Sequence, residues 1–401
     1  MAGGAAAGEL SVPGPAAEGC VPLESAPGAA RGHPGNGRLQ SRPVVTPITR
    51  DDDGAVRALL RASVIPGAVR VAFTREPHYF AGDSLAGGED HAVVARHERR
   101  LVGLGRCSVY PLFRNGAAAR IGYLGALRVA SGTPHAARLL RDGYARLAEL
   151  VGEVDACFTS ITSDNARARA VLERGGRLGL PTYTPIASLV TLMAPVHAGG
   201  GVPDVAAVDT AADADAGDAV AYLASRARDV QLALPWGPDR LVQLASHGFA
   251  ADDLLVVRRA GTVVAAAGVW DQRPFRQVVV DGYDPTLQLA RPAANLWLRL
   301  TRRPALPPPG SVLAQGAVLG AFVTAPDDWR ALWPALQSRA HAKGLAWLAI
   351  ARDARDPELP VLRALTRARE YHTTLYDVSL GGRSPASAWD GRLVRPEVAL
   401  L

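Results

Sequence analysis

From residue 44 onward, short apolar runs alternate with longer runs whose apolar positions recur every three to four residues. Apolar runs of strand length predict β-strands, and the three-to-four spacing predicts amphipathic helices. Strands are predicted at 44–49, 91–97, 101–110, 120–129, 155–162 and 186–193, and helices from 51–53 onward, over 134–151 and over 165–174. This order predicts an α/β unit: a mixed, mostly antiparallel sheet flanked by helices.

The second half of the chain repeats this order. Residues 256–268 (VVRRAGTVVAAAG) resemble 93–105 (VVARHERRLVGLG), and both read as hairpins. Further strands are predicted at 312–324, 345–352, 373–380 and the extreme C-terminus, with helices over 326–343 and 359–367. A repeat of this length predicts two tandem domains.

Length and composition give the predicted boundaries. A chain of 401 residues suits two domains. Residues 1–43 contain 9 Gly, 6 Pro and 9 Ala and no aromatic residue, which predicts a disordered tail or, equally, a misassigned start. We predict a first domain over 44–196, a linker rich in Gly, Ala and Asp over 197–217, and a second domain over 218–401.

Composition also excludes several classes of protein. No apolar run is long enough to span a bilayer, and three cysteines make neither a disulfide framework nor a metal knuckle. We therefore expect a cytoplasmic protein with no metal and no membrane partner. The net charge is +6, with 19 Arg against 14 acidic residues in 44–196, but no basic run is dense enough to indicate nucleic acid.

The turn after the strand at 120–129 is the first candidate for chemistry. Thr133 is predicted to cap a helix that has Pro134 at its first position. Backbone N–H groups of Gly132, Thr133, His135 and Ala136 would then converge at a helix N-terminus, where the dipole favours anions. Simple helix capping explains the same residues, so the turn alone is a weak signal.

The second candidate is the short helix after the strand at 155–162, which begins near Asn165 and ends at Gly175 and Gly176. Together with the strand order, this segment resembles the Asn-x-x-Ala helix of the GCN5-related N-acetyltransferase (GNAT) family. The resemblance covers 44–196 and implies acetyl-CoA as co-substrate. It assigns the pantetheine to a splay beside Leu127, Arg128 and Val129.

The resemblance also assigns further roles. It places the pyrophosphate on the loop from Ser131 to Ala136 and the pantetheine end of the cofactor on Asn165. His78 and Tyr79 fall where the family builds its acceptor wall, although loop anchoring explains them as well. The tyrosine that often serves the family as general acid falls on Leu172.

Aminolysis of a thioester needs a proton carrier and a donor to the carbonyl oxygen. Tyr123 and Tyr110 are candidate proton carriers, with core packing as the alternative, and the N–H of Val129 is a candidate donor. In the second half, Asp327 and Asp328 occupy the equivalent turn and would repel a pyrophosphate. That half is therefore expected to be a degenerate copy.

The resulting hypothesis is an N-acyltransferase that moves an acetyl or other acyl group from acetyl-CoA to a small-molecule or peptide amine. A non-catalytic module that senses acyl-CoA or another metabolite is the alternative, favoured by Leu172. A nucleic-acid or partner-binding protein is the weakest reading, and a homodimer is left open.

Overall fold

A computed structural model describes residues 42–197, 207–212, 216–301, 303–383 and 388–401. The tail predicted for 1–43 lies, except for its last two residues, outside these ranges. The elements of the first half are β1 (Val44–Pro47), α1 (Asp53–Ala62), β2 (Val69–Thr74), β3 (Glu89–His97), β4 (Arg100–Arg114), β5 (Ala117–Val129), α2 (Ala136–Val151), β6 (Ala156–Thr162), α3 (Ala166–Leu172) and β7 (Tyr183–Pro195). Every helix and strand predicted for this half is present, and β2 is an addition.

The second half contains β8 (Ala207–Thr210), α4 (Ala216–Ala227), α5 (Arg240–Ala245), β9 (Leu254–Arg259), β10 (Thr262–Trp270), β11 (Gln277–Tyr283), α6 (Pro285–Leu300), β12 (Gln315–Val323), α7 (Trp329–Ala342), β13 (Trp347–Asp353), α8 (Leu359–Thr366) and β14 (Arg369–Val378). The hairpins β3–β4 and β9–β10 turn at equivalent places. Glu98 and Arg99 in one, and Ala260 and Gly261 in the other, have positive φ angles. Such paired left-handed residues are typical of two-residue hairpin turns.

One local expectation for the second half is wrong, and further elements add to the prediction. The C-terminus forms a 3-10 turn at Val398–Leu400 instead of a strand, because side chains of Gln272 and Arg276 satisfy the carbonyl of Ala399. Residues 207–210, inside the predicted linker, form the edge strand β8 against β9. The segment before β12 contains the 16-residue helix α6. The division of the chain into domains stays a prediction.

Within the described ranges, twelve strands form one sheet in the order β1-β3-β4-β5-β6-β14-β7-β13-β12-β10-β9-β8. Strand β14 from the end of the chain lies between β6 and β7, antiparallel to both. Strand β7 in turn pairs with β13 of the second half. Each half therefore completes its part of the sheet with a strand from the other half.

Strands β2 and β11 form a separate two-stranded antiparallel sheet, with Val71 opposite Val280. Their buried valines pack in a cluster of their own with Leu287 of α6. Neither strand was predicted, because each one finds its partner only in the opposite half of the chain.

Helices cover both faces of the first half's sheet. Leu140, Tyr144 and Leu147 of α2 pack with Cys107 and Cys157 on one face. Val56, Leu59 and Leu60 of α1 pack on the other face with Val94 and Leu104. Both cysteines are buried in strand interiors, as their sequence context predicts.

Candidate functional site

Strands β5 and β6 separate part-way along their length. They pair in parallel only where residues 121–123 face 156–158. The hydroxyl of Thr159 then donates to the carbonyl of Leu124 over 2.6 Å, and no further β5–β6 ladder is present among the described residues. Strand β5 bulges at Ala126, whose φ is 53°, while its register against β4 shifts. The result is a fork in the sheet with a backbone edge at residues 124–129.

The turn after β5 differs from its predicted form. Helix α2 begins at Ala136, and its N-cap is His135 in the left-handed region (φ 55°), not Thr133. Thr133 instead closes a tight turn, because both its N–H and its hydroxyl donate to the carbonyl of Ala130. The N–H of Thr133 is therefore not available to an anion. The first-turn N–H groups from Ala136 onward have no intrahelical acceptor, as at any helix start.

The space around this turn is open. A Cβ added at Gly132, which has a φ of 74°, would meet nothing within 4 Å. Ser131 and His135 are exposed beside it. The N-terminus of α2, which is 16 residues long, therefore faces open space at the end of the fork and suits an anionic group.

Asn165 lies at the start of α3, where its side-chain oxygen accepts from the N–H of Ala168 over 3.1 Å. This contact makes it the N-cap of the helix. Leu172, which takes the place of the family's frequent tyrosine, is buried in the core at 3% exposure. The structure thus accounts for the Asn-x-x-Ala pattern as helix capping, and the contact between Asn165 and a cofactor stays a prediction.

The two candidate tyrosines lie on the same face of the sheet but in different surroundings. The hydroxyl of Tyr123 is 3.0 Å from that of Ser160 on β6, directly at the fork. Tyr110 is on β4, so β5 separates it from the fork. Burial and the charge of Asp90 raise the pKa of Tyr110. Of the two, only Tyr123 reaches β6.

His78 and Tyr79 follow β2 and point to different surroundings. His78 is exposed, whereas Tyr79 is buried and its N–H donates to a carboxylate oxygen of Asp53 over 2.7 Å. The guanidinium groups of Arg75 and Arg106 lie 5.3 Å and 5.8 Å from the Tyr79 ring centroid. Tyr79 thus belongs to a buried charged cluster beside β4.

Sequence reasoning missed the centre of this cluster, Arg106. Its side chain is 4% exposed and pairs with Asp90 over 2.6 Å and with Asp83 over 3.4 Å. Burial raises the pKa of the Asp83 carboxyl, although Arg106 opposes the shift. An arginine in the middle of the apolar strand 101–110 was the available signal, since buried charges are normally paired.

An apolar groove runs beside α2 on the face opposite Tyr123. Its lining includes Leu127, Arg128 and Val129. Three glycines help to keep it open: Gly103, Gly105 and Gly143. A Cβ at Gly143 would meet nothing within 4 Å. The groove thus adjoins the β5 residues that the resemblance assigns to the cofactor.

The second half contains the same fork, in a closed form. Strands β12 and β13 pair only where residues 315–317 face 347–349, and β12 then bulges at Gly320 (φ 59°). The N–H of Gly320 donates to Glu397 over 3.1 Å, and the carbonyl of Ala321 accepts from Arg352 over 2.9 Å. Here the chain's own side chains bind the edge of β12 past the fork.

Buried charges hold this closure in place. Glu358 at the start of α8 accepts from Arg352 over 3.3 Å, from Arg395 over 2.6 Å and from the indole N–H of Trp329 over 2.9 Å. Burial raises the pKa of Glu358, but the two arginines outweigh it and the net shift is downward. Arg352, Glu358, Arg395 and Glu397, with Asp356, are called the plug below.

The turn before α7 is also occupied. Asp328 is buried, and its carboxylate accepts from the N–H of Ala325 over 2.9 Å and from Arg259 over 2.6 Å. Asp327 is exposed and pairs with Arg330. An internal carboxylate thus stands at this helix N-terminus, as its sequence suggests.

No protein-family model and no curated protein matches the sequence. Solved structures do match. Saccharomyces cerevisiae N-myristoyltransferase with bound myristoyl-CoA aligns with a TM-score of 0.55 at 11% identity, covering 90% of each chain. A second structure of that enzyme, with myristoyl-CoA and inhibitors, aligns with a TM-score of 0.54 at 11% identity, covering 88% of this chain and 85% of that one.

The matched enzyme consists of two tandem GNAT-like domains. The chain has the tandem GNAT-like fold. The predicted fold class and the resemblance to GNAT proteins are thereby confirmed. Identity this low establishes the fold and leaves the activity to be argued from the site.

Two further properties concern only the described residues. None of the helices there combines the length and apolarity needed to cross a bilayer. No group of three or more His, Cys, Asp or Glu side chains is placed there to hold a metal ion.

Proposed function

We propose that this protein transfers an acyl group from acyl-CoA to an amine, using the fork between β5 and β6. One observation carries the proposal: of two forks with the same strand pairing, the first ends at an open helix N-terminus and the second is closed by the plug. An exposed strand edge suits the amide-rich pantetheine of acyl-CoA, and a helix N-terminus suits its anionic pyrophosphate. Acyl-CoA is therefore the substrate that fits both features together.

Substrate binding would use the open edge of the first fork. The pyrophosphate would lie on N–H groups between Ser131 and Ala136, excluding that of Thr133, with His135 beside it. The pantetheine would pair with residues 127–129 and approach Asn165. These positions follow the resemblance, and the open space above Gly132 supports them.

In the reaction, a neutral amine attacks the thioester carbonyl carbon, so that a C–N bond forms and the C–S bond breaks. The backbone N–H of Val129 would donate to the carbonyl oxygen as negative charge develops there. The CoA thiolate leaves and takes a proton, which the Tyr123 hydroxyl can supply, and the proton that the amine nitrogen loses then restores that hydroxyl. Ser160, 3.0 Å from that hydroxyl, can orient it. Tyr110 is the second candidate. Burial and the charge of Asp90 raise the pKa of Tyr110, so it releases a proton less readily than an ordinary tyrosine.

An acyl chain longer than acetyl would lie in the groove beside α2. The groove touches Leu127 and Val129 and is lined almost entirely by apolar side chains. Gly143→Leu would fill it from the helix side, where the present space is empty. We expect this variant to weaken the binding of a medium-chain acyl-CoA and to leave that of acetyl-CoA unchanged.

The acceptor amine would approach from the side of His78 and Tyr79. His78 is exposed there, and the half-buried carboxylate of Asp83 can attract a cationic amine. We propose a small-molecule or a peptide amine as the acceptor. A sensing module without catalysis is the second candidate, and the buried Leu172 in place of a tyrosine favours it.

The test measures CoA-thiol release by the full chain with acetyl-CoA and a medium-chain acyl-CoA against a panel of amines. Tyr123→Phe should lower kcat about 100-fold or more while the Kd for CoA stays unchanged. Tyr222→Phe, in the second half, is the matched control. Binding without release across the panel would support the sensing module, and no CoA binding at all would end both the transferase and the acyl-CoA-sensing hypotheses.

A further inference from the structure

Helix α6 exposes an apolar surface on the side away from the protein. Leu289, Leu296, Trp297 and Leu300 are 86%, 62%, 55% and 76% exposed, and Ala293 is exposed between them. Their spacing of three, four and seven residues puts them on one face of the helix. Leu287 and Leu298 are buried on the opposite face. A helix that is apolar on both faces is expected to be covered on both.

The charges of the segment that carries this face have one sign, apart from Asp284 at the N-cap of α6. Residues 285–326 contain four arginines and no aspartate or glutamate. Arg299 and Arg303 are exposed next to the apolar face, and the Arg303 guanidinium lies 5.8 Å from the centroid of the Trp297 ring. Leucines and a tryptophan flanked by arginines are typical of helices that lie in a membrane interface.

We propose that α6 docks on an anionic lipid bilayer, with its axis parallel to the surface. Leu289, Leu296 and Leu300 would enter the boundary between headgroups and acyl chains, and Trp297 would sit at headgroup level, where indole rings are favoured. Arg299 and Arg303 would contact lipid phosphates. The expectation of no membrane partner depended on the absence of a segment that spans the bilayer. A helix that lies on the membrane surface needs no such segment.

A second copy of the chain is a less suitable occupant. A two-fold contact through this face would bring the face of one copy against the same face of the other. Arg299 and Arg303 of both copies would then lie close together with no acidic residue of 285–326 to compensate them. An anionic surface has the complementary charge.

Vesicle flotation tests the proposal with the full chain. Wild type should float with vesicles of phosphatidylcholine mixed with phosphatidylglycerol, and much less with phosphatidylcholine alone or in high salt. The double variant L296Q/L300Q should lower the partition coefficient at least about tenfold, because two exposed leucines no longer enter the bilayer. Arg299→Gln and Arg303→Gln should each lower it about fivefold on anionic vesicles only.

All these side chains are exposed, so the variants should fold as wild type does. Val242→Gln is the matched control, since Val242 is a 72% exposed aliphatic residue on α5 and should not affect flotation. Failure of wild type to float, or equal flotation of L296Q/L300Q, would overturn the proposal. So would a dimer in sedimentation velocity that L296Q/L300Q dissociates, because a second copy would then cover α6.

Discussion

The two forks in the sheet share their geometry and differ in what lies past the branch point. In each, three residue pairs of a parallel ladder are followed by a bulge with a positive φ, at Ala126 in the first and Gly320 in the second. A Cβ at Gly320 would lie 2.5 Å from the Trp236 ring, so the second bulge is packed tightly by its own half. Equal strand geometry therefore does not imply equal function.

The difference comes from a few side chains. Arg352 on β13 and Glu358 before α8 stand where the first half has Ile161 on β6 and Asn165 before α3. The side chains of Arg352 and Glu397 hydrogen-bond the backbone edge of β12. Glu358 and Arg395 lie beside them in the plug. The matching positions of the first half, Ile161 and Asn165, carry no charge, and we infer that this leaves the edge of β5 past the fork to a ligand.

Removing a charge from the plug should have the largest effect. Arg352→Leu leaves Glu358 and Asp356 buried with Arg395 as their one cationic partner among the described residues, and should lower the free energy of unfolding by about 3–5 kcal/mol. Urea denaturation of the full chain measures this. Arg363→Leu, which breaks the exposed pair with Glu370, should cost about 1 kcal/mol or less. A cost for Arg352→Leu as small as that of the control would mean that the plug does not hold the second fork closed.

The pH dependence of stability should reveal Glu397. Burial raises its pKa to about 7, although Gly320, Arg352 and Arg240 oppose the shift. The folded state then holds this proton more tightly than the unfolded state, so the contribution is complete below the ordinary pKa of 4.5 and is lost as pH rises from 4.5 to about 7. The variant E397Q lacks this loss and should be more stable than wild type above pH 7, by on the order of 3 kcal/mol.

Urea denaturation across this pH range compares wild type with E397Q. The variant E149Q, which changes an exposed carboxylate on α2, should follow wild type within about 0.5 kcal/mol. Parallel curves for wild type and E397Q would show that Glu397 does not titrate as a buried carboxyl.

The smallest expected effect concerns the open turn. His135→Asp places a carboxylate at the N-cap of α2, as Asp328 is placed at the N-cap of α7. The substitution should raise the Kd for CoA about tenfold, because like charges meet at the pyrophosphate position. His135→Asn is the neutral control and tolerates the left-handed φ of 55°. Calorimetric titration of the full chain that gives equal Kd values for both variants would place the anion elsewhere.

Local sequence patterns predicted most of the first half. The apolar alternation of 91–110 and the glycine-ended helix at 165–174 are signals that neighbouring residues carry by themselves. The cap of α2 was predicted wrongly because Thr133 can cap a helix or close a turn, and its contact with Ala130 decides between them. The role of Arg106 could not be predicted from its own segment, because its partners Asp83 and Asp90 lie in a different one.

The sequence by itself determined the elements that form both forks, the repeat and the two carboxylates at the second turn, because each depends on residues a few positions apart. Only the tertiary structure decided that β14 completes the sheet of the first half and that the plug closes the second fork. Both depend on contacts between residues far apart in the chain, whose pairing no local pattern records. Charge and hydrogen bonding across those contacts separate the open fork from the closed one.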